Sequence, residues 1–212
     1  MLKLDHVTVI APTLAEGVAH VRDCLDLDVP FGTRHRYMGT QNHRLQLGDQ
    51  TYLEIVSHDP QGVHPGHARW FGLDDPKTVR RDWEDGRRLR GWVASTTEIK
   101  RVIADHAGIF GAHVSLPSDD PEFGFSIAAD GSLPLDGAAP SLIDHRGAPT
   151  LMSDIPDMGA RLIALTLQHP DPKRIQALYE TLHIDRHPTV TKGPQLRYVA
   201  QIETGRGIRT LT

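Results

Sequence analysis

The chain is predicted to adopt an α+β fold in which repeated βαβββ modules form a curved mixed sheet with a concave cleft, followed by a third, C-terminal module. Two observations carry that prediction. One order of elements, a strand, an amphipathic helix and then short strands, recurs three times along 212 residues. Within each copy the apolar spacing passes from alternation to the three-and-four period of a helix and back again.

The first copy takes residues 1–57. Residues 4–10 (LDHVTVI) read as a strand that Pro12 and Thr13 end. Leu14, Val18, Val21 and Leu25 then share one helix face, and Thr13 with Glu16 makes a capping-box pattern. Extended segments follow at 33–37, 42–47 and 51–56, with Gly48-Asp49 as the turn between the last two. Residues 58–88 are a connector. Pro and Gly in His64-Pro65-Gly66-His67 prevent a helix that would present both imidazoles together, so this stretch reads as a solvated loop. Trp70 and Phe71 are expected to anchor the connector to the core, and 77–90, where basic residues alternate with Asp82, Glu84 and Asp85, reads as a solvated helix face.

The second copy takes 89–147. Its strand is 89–95, Ser95 with Glu98 repeats the capping box, and Ile99, Val102, Ile103 and Ala107 line a helix that Gly108 and Gly111 close. Strands are expected at 113–116, 123–128 and 141–144, with Asp130-Gly131 as a hairpin turn. The third copy takes 160–212: a strand at 162–168, a helix opening at Asp171-Pro172 with Ile175, Leu178 and Leu182 inward, and extended segments near 189, 196–202 and 208–211. It has no obvious partner in the chain. It is expected either to complete a sheet across a homodimer interface or to pack behind the first sheet.

Composition sets the class. Apolar residues at 39% and charged residues at 24% describe a globular protein, and a formal charge of −4 gives no reason to expect nucleic acid or an anionic membrane as partner. One cysteine, Cys24, excludes an intrachain disulfide and suits a reducing compartment. The N-terminus mixes charged and apolar residues, which argues against a signal peptide, and no apolar run approaches the ~20 residues of a membrane helix. The cytoplasm is the expected location and a small molecule the expected partner.

Particular motifs then narrow the reading. The strands Leu4-Asp5-His6-Val7 and Tyr52-Leu53-Glu54-Ile55-Val56 resemble the metal-ligand strands of the vicinal-oxygen-chelate superfamily. Gly39-Thr40-Gln41-Asn42, Gly48-Asp49, Arg69-Trp70-Phe71-Gly72-Leu73-Asp74 and Pro140-Ser141-Leu142-Ile143-Asp144 are similar to its glyoxalase-like subfamily. The resemblance spans nearly the whole chain. It implies paired βαβββ modules with His and Glu ligands on the concave face.

Strand alternation supports the same face. If Val7 and Val9 turn toward the helices, Leu4, His6 and Thr8 face the cleft, and so do Tyr52 and Glu54 when Leu53 and Ile55 turn inward. A His and a Glu in one sheltered hollow require a partner, either each other or a cation. Imidazole with carboxylate suits a divalent Zn, Ni, Fe, Mn or Co. In the second copy Trp92 matches His6 and Asp144 matches Glu54; in the third, Ala164 and Thr210 stand there. The metal set is thus His6, Glu54 and Asp144, or no metal at all. One histidine with two carboxylates departs from the two-His triad of non-haem iron oxygenases, which argues against an extradiol dioxygenase.

Each residue also has a plainer reading. His6 can be a structural histidine bonded to Glu54, and Asp144 a strand-end residue capped by the Arg146-Gly147 turn. Without a metal, Glu54 becomes a candidate catalytic base. Thr40, Asn42 and Tyr52 are candidate substrate contacts, and Trp92 a flat cleft wall. Two functions remain open: a glyoxalase-like, metal-dependent lyase or isomerase acting on a small oxygenated metabolite, or a metal-free protein of the same fold that binds or sequesters a small molecule.

Overall fold

A computed structural model describes residues 1–48, 50–147 and 152–212; Asp49 of the expected Gly48-Asp49 turn lies outside them. In the first module, β1 (Leu2–Ile10) leads into α1 (Leu14–Leu25). Half of the expected capping box forms: Glu16 N–H donates to Thr13 Oγ1 at 3.2 Å, while Glu16 Oε2 accepts from the Thr13 hydroxyl at 2.7 Å rather than from a backbone N–H. The module is completed by β2 (Phe31–His35), β3 (Thr40–Gln46) and β4 (Tyr52–His58).

The connector holds a 3-10 turn over Trp70–Gly72 and then α2 (Pro76–Glu84). Arg69 clamps that turn, its guanidinium and backbone N–H both bonded to Asp74 at 2.6 and 2.7 Å. Gly131, at φ +73°, lets the connector dock, because a Cβ there would sit 2.2 Å from the Arg69 carbonyl oxygen. The reading of 77–90 as a solvated face needs correction. Asp82 and Arg90 are buried and their charges meet, Arg90 Nε lying 2.8 Å from Asp82 Oδ2.

The second module runs through β5 (Leu89–Ser95), α3 (Ile99–Asp105), the single turn α4 (Ala107–Phe110), β6 (Ala112–Leu116), β7 (Phe123–Ile127) and β8 (Ser141–Asp144). Its expected capping box does not form. Glu98 takes the N-cap position with no side-chain bond, and Thr96 Oγ1 accepts the Glu98 N–H instead. The two modules make one curled sheet in the order β2-β3-β4-β1-β5-β8-β7-β6, with β1 antiparallel to β5 at the centre.

The third segment comprises β9 (Arg161–His169), α5 (Pro172–Thr181), β10 (Ile184–Asp185), β11 (Thr189–Lys192), β12 (Arg197–Thr204) and β13 (Gly207–Leu211). Its element order repeats the module but its pairing does not. The second sheet runs β11-β9-β12-β13, so β9 is internal, whereas in the first module β4 pairs with the opening strand. The segment finds its partner within the chain and packs behind the first sheet. Leu165, Leu167, Ile175, Tyr179 and Tyr198 join the core that holds Val7, Leu53, Trp92 and Leu142. The Tyr179 and Tyr198 hydroxyls donate to the Ala138 and Gly137 carbonyls at 2.5 and 2.8 Å. A second apolar cluster, with Ile10, Val56, Trp70, Phe125 and Ile143, lines the concave side.

Candidate active site

The hollow of the first sheet is a cavity of about 280 Å³. Its polar floor comes from β1, β3 and β4. His6 and Glu54 are both buried there, with His6 Nε2 3.6 Å from Glu54 Oε2. Asn42 stands across from Val56 on the neighbouring strand and donates through Nδ2 to Glu54 Oε1 at 2.7 Å. Its own Oδ1 accepts the Thr33 N–H at 2.8 Å, so both ends of the amide are used in holding Glu54. That approach needs Gly32, since a Cβ there would lie 2.4 Å from Asn42 Oδ1. Tyr52 stacks on the His6 ring, centroids 4.4 Å apart.

A β-bulge supplies what simple alternation hides. Leu4 pairs with Ala94 and His6 with Val93, so Asp5 and His6 of β1 together oppose one residue of β5. Leu4 therefore faces the helix-side core along with Val7, and not the cleft as expected. Asp5 turns under His6. Its Oδ1 lies 2.7 Å from His6 Nδ1 and its Oδ2 2.9 Å from His145 Nε2. Burial alone would push the Asp5 carboxyl up, but hydrogen bonds from His145 and His6 and their charges overcome it and lower it from 3.8 to about 2. A carboxylate held ionised accepts only, so both imidazoles donate to it. In the neutral form of His6 this places the proton on Nδ1 and turns Nε2 toward Glu54 and the cavity.

The rest of the wall is aromatic. Tyr37, Trp70, Phe71, Phe123 and Phe125 line it, with Trp70 edge-on to Tyr37 and Phe125 at 6.3 and 5.4 Å. Phe71 is held at φ +60°, a left-handed backbone that a bulky residue rarely adopts, and its ring packs on Phe125. Burial lowers His35 from 6.5 to about 4, with Arg44 adding to the effect against Glu54, so the ring is neutral at physiological pH. Burial pushes the Tyr37 and Tyr52 phenols up, and both keep their protons.

The structure brings His6, Asn42, Tyr52 and Glu54 into one cavity wall, as expected. Thr40 does not line the cavity; its hydroxyl lies 3.2 Å from Nδ1 of His35, which does. Trp92 is not a cleft wall. Directly opposed residues share a face, and Trp92 opposes Val7; it packs against Tyr179 in the helix-side core. Val93 is the residue opposite His6. Asp144 shares the parity of Leu142, which faces the same core, and its carboxylate accepts the Arg146 N–H at 2.8 Å. Its neighbour His145 lines the cavity in its place. Asp5, His35, Tyr37, Arg44 and His145 were not anticipated.

This placement decides how well a metal fits. His6 and Glu54 supply two donors to one space, and the third expected ligand, Asp144, points elsewhere. Among the described residues no group of three or more His, Cys, Asp or Glu side chains could hold a metal ion. Catalytic zinc sites use three protein ligands. The donor set here is one short, and the residues do not fit such a centre.

A model of the glyoxalase-like domain matches residues 4–183. A search of curated proteins finds no match. Among solved structures, a hypothetical protein from Staphylococcus aureus is 10% identical, with a TM-score of 0.59 over 93% of this chain and 88% of that one; at this identity the likeness is of fold. Methylmalonyl-CoA epimerase from Mycobacterium tuberculosis is 14% identical, with a TM-score of 0.41 over 71% of this chain and 91% of that one. The Streptomyces coelicolor epimerase is 13% identical, with a TM-score of 0.40 over 70% and 99%. The bulged His6 strand, the Glu54 strand and the paired modules thus have a family: the chain belongs to the glyoxalase-like domain family.

Proposed function

We propose that the chain is a lyase or isomerase that moves a proton on a small oxygenated metabolite, with His6 as base and Glu54 as its proton partner. The observation that carries this is the pair itself: His6 Nε2 and Glu54 Oε2, 3.6 Å apart on the floor of a cavity, with His6 oriented from behind by an ionised Asp5. A base of this kind needs a fixed tautomer and a lone pair aimed at the substrate. His6 Nε2 takes a proton from a carbon next to a carbonyl. Glu54, kept in place by Asn42, receives or returns it on the same face. The Tyr37 hydroxyl, protonated throughout the neutral range, is a donor for the developing enolate oxygen. No step here passes through a metal.

The test is solvent exchange. Small hydroxyketones and 2-oxo acids are incubated with the protein in deuterated buffer and their α-proton signals followed by NMR. Wild type should speed exchange of at least one compound, and His6→Asn or Glu54→Gln should each slow it about a hundredfold or more. Exchange undiminished in both variants would overturn the proposal. The aromatic wall supports a second reading, a metal-free binding or sequestration protein. It expects ligand-induced thermal stabilisation indifferent to EDTA, with no exchange at all.

A further inference from the structure

Arg44 has no part in the proton transfer proposed above, yet it is the only Lys or Arg among the described residues lining the cavity. It opposes Glu54 across β3 and β4, and opposed residues share a face. Even so, Arg44 forms no ion pair among the described residues. One terminal nitrogen donates to Thr33 Oγ1 at 3.2 Å, and its Nε is buried with no partner. The buried indole N–H of Trp70, in the same wall, also has none. Both buried groups are donors with no acceptor beside them, and the other terminal nitrogen of Arg44 bonds to no described residue, so a partner entering the cavity must bring acceptors.

The carboxylates nearby do not fill that need. Glu54 Oε1 is taken by Asn42, and Asp5 lies beneath two imidazoles. Glu122 and Asp154 are exposed at the mouth, where salt screens them. At about 30 Å³ for each water-sized group, 280 Å³ holds on the order of ten such groups. Five aromatic rings make up much of the remaining wall.

We infer that the cavity takes a small monocarboxylate carrying a flat apolar group: Arg44 holds the carboxylate, and the Tyr37, Trp70 and Phe125 rings hold the body. A guanidinium fork suits a planar carboxylate. The inference shares the cavity of the proposed function and deepens it, but does not depend on catalysis.

Calorimetric titration of the whole chain with sodium phenylacetate, phenylacetamide, acetate and phenethylamine tests it. Phenylacetate should bind about tenfold or more tightly than phenylacetamide, and more tightly than acetate, which lacks the ring. Arg44→Gln should abolish the preference for acid over amide, while Glu54→Gln, which blocks proton transfer, should keep it. If Arg44→Gln does not fold, Arg44→Lys should weaken phenylacetate binding yet keep the preference. Four results overturn the inference: no phenylacetate binding, amide or amine bound as tightly as acid, the preference intact in Arg44→Gln, or phenylacetate binding undiminished in Arg44→Lys. Each leaves the His6 and Glu54 reading standing. Loss of exchange chemistry with the acid preference intact would instead end that reading and leave this one.

Discussion

Replacing Asp5 by Asn removes the anion that organises the site, and the consequence can be sized. Asp5 is held at about 2 in the fold against an ordinary 3.8. At about 1.4 kcal/mol per unit, that difference is worth about 2.5 kcal/mol of stability. The carboxyl is depressed in the folded state, so the contribution is fully present above 3.8 and is lost as pH falls from there through about 2. Asparagine lacks the charge and brings an N–H₂ of its own, leaving one imidazole N–H without an acceptor, at a further cost of about 1–3 kcal/mol. Asp5→Asn should therefore be destabilised by about 4 kcal/mol at neutral pH. Urea unfolding over a pH series is the assay. Wild type should show an acid-limb loss of about 2.5 kcal/mol that the variant lacks. A variant within about 0.5 kcal/mol of wild type, with the same acid limb, would refute the reasoning.

Three further expectations follow from the same geometry. Trp92→Ala should cost about 3–5 kcal/mol by calorimetry, because the indole is buried against Tyr179, yet leave ligand affinity unchanged; lost affinity at full stability would put Trp92 back in the cleft. His35 is lowered from 6.5 to about 4, so its contribution is lost as pH falls between those values. At most about 3 kcal/mol is involved, and less because the ring borders the open cavity; His35→Gln should flatten that part of the curve, and an unchanged slope would count against it. Gly32→Ala should push Asn42 off Glu54 and slow proton exchange at a stability cost of about 1–3 kcal/mol; full exchange activity would show that Asn42 does not position the carboxylate.

Much of this site could be read from alternation alone. Val7 and Val9 against His6, and Leu53 and Ile55 against Glu54, place both functional groups on the concave face without coordinates. Alternation fails where a residue is inserted. The bulge at Asp5 moves the match for His6 along β5 from Trp92 to Val93, and it brings an aspartate that alternation groups with Val7 and Val9 beneath the His6 imidazole. A one-residue difference likewise separates Asp144 from His145. The aromatic wall was legible only as an anchor, because the connector has no period and Phe71 takes a backbone conformation no pattern announces. Element order in the third segment was legible, but its pairing was not, since strand order depends on long-range contacts.

Which nitrogen of His6 keeps the proton decides whether the imidazole can act as a base in the cavity. Nitrogen-15 NMR of the labelled protein, taken at alkaline pH, reads this without any substrate. The retained proton should sit on Nδ1, facing Asp5, with Nε2 bare toward Glu54, and Asp5→Asn should disturb that preference. A proton on Nε2 in the wild-type protein would contradict the account, for His6 would then face the cavity as a donor and could not act there as the base.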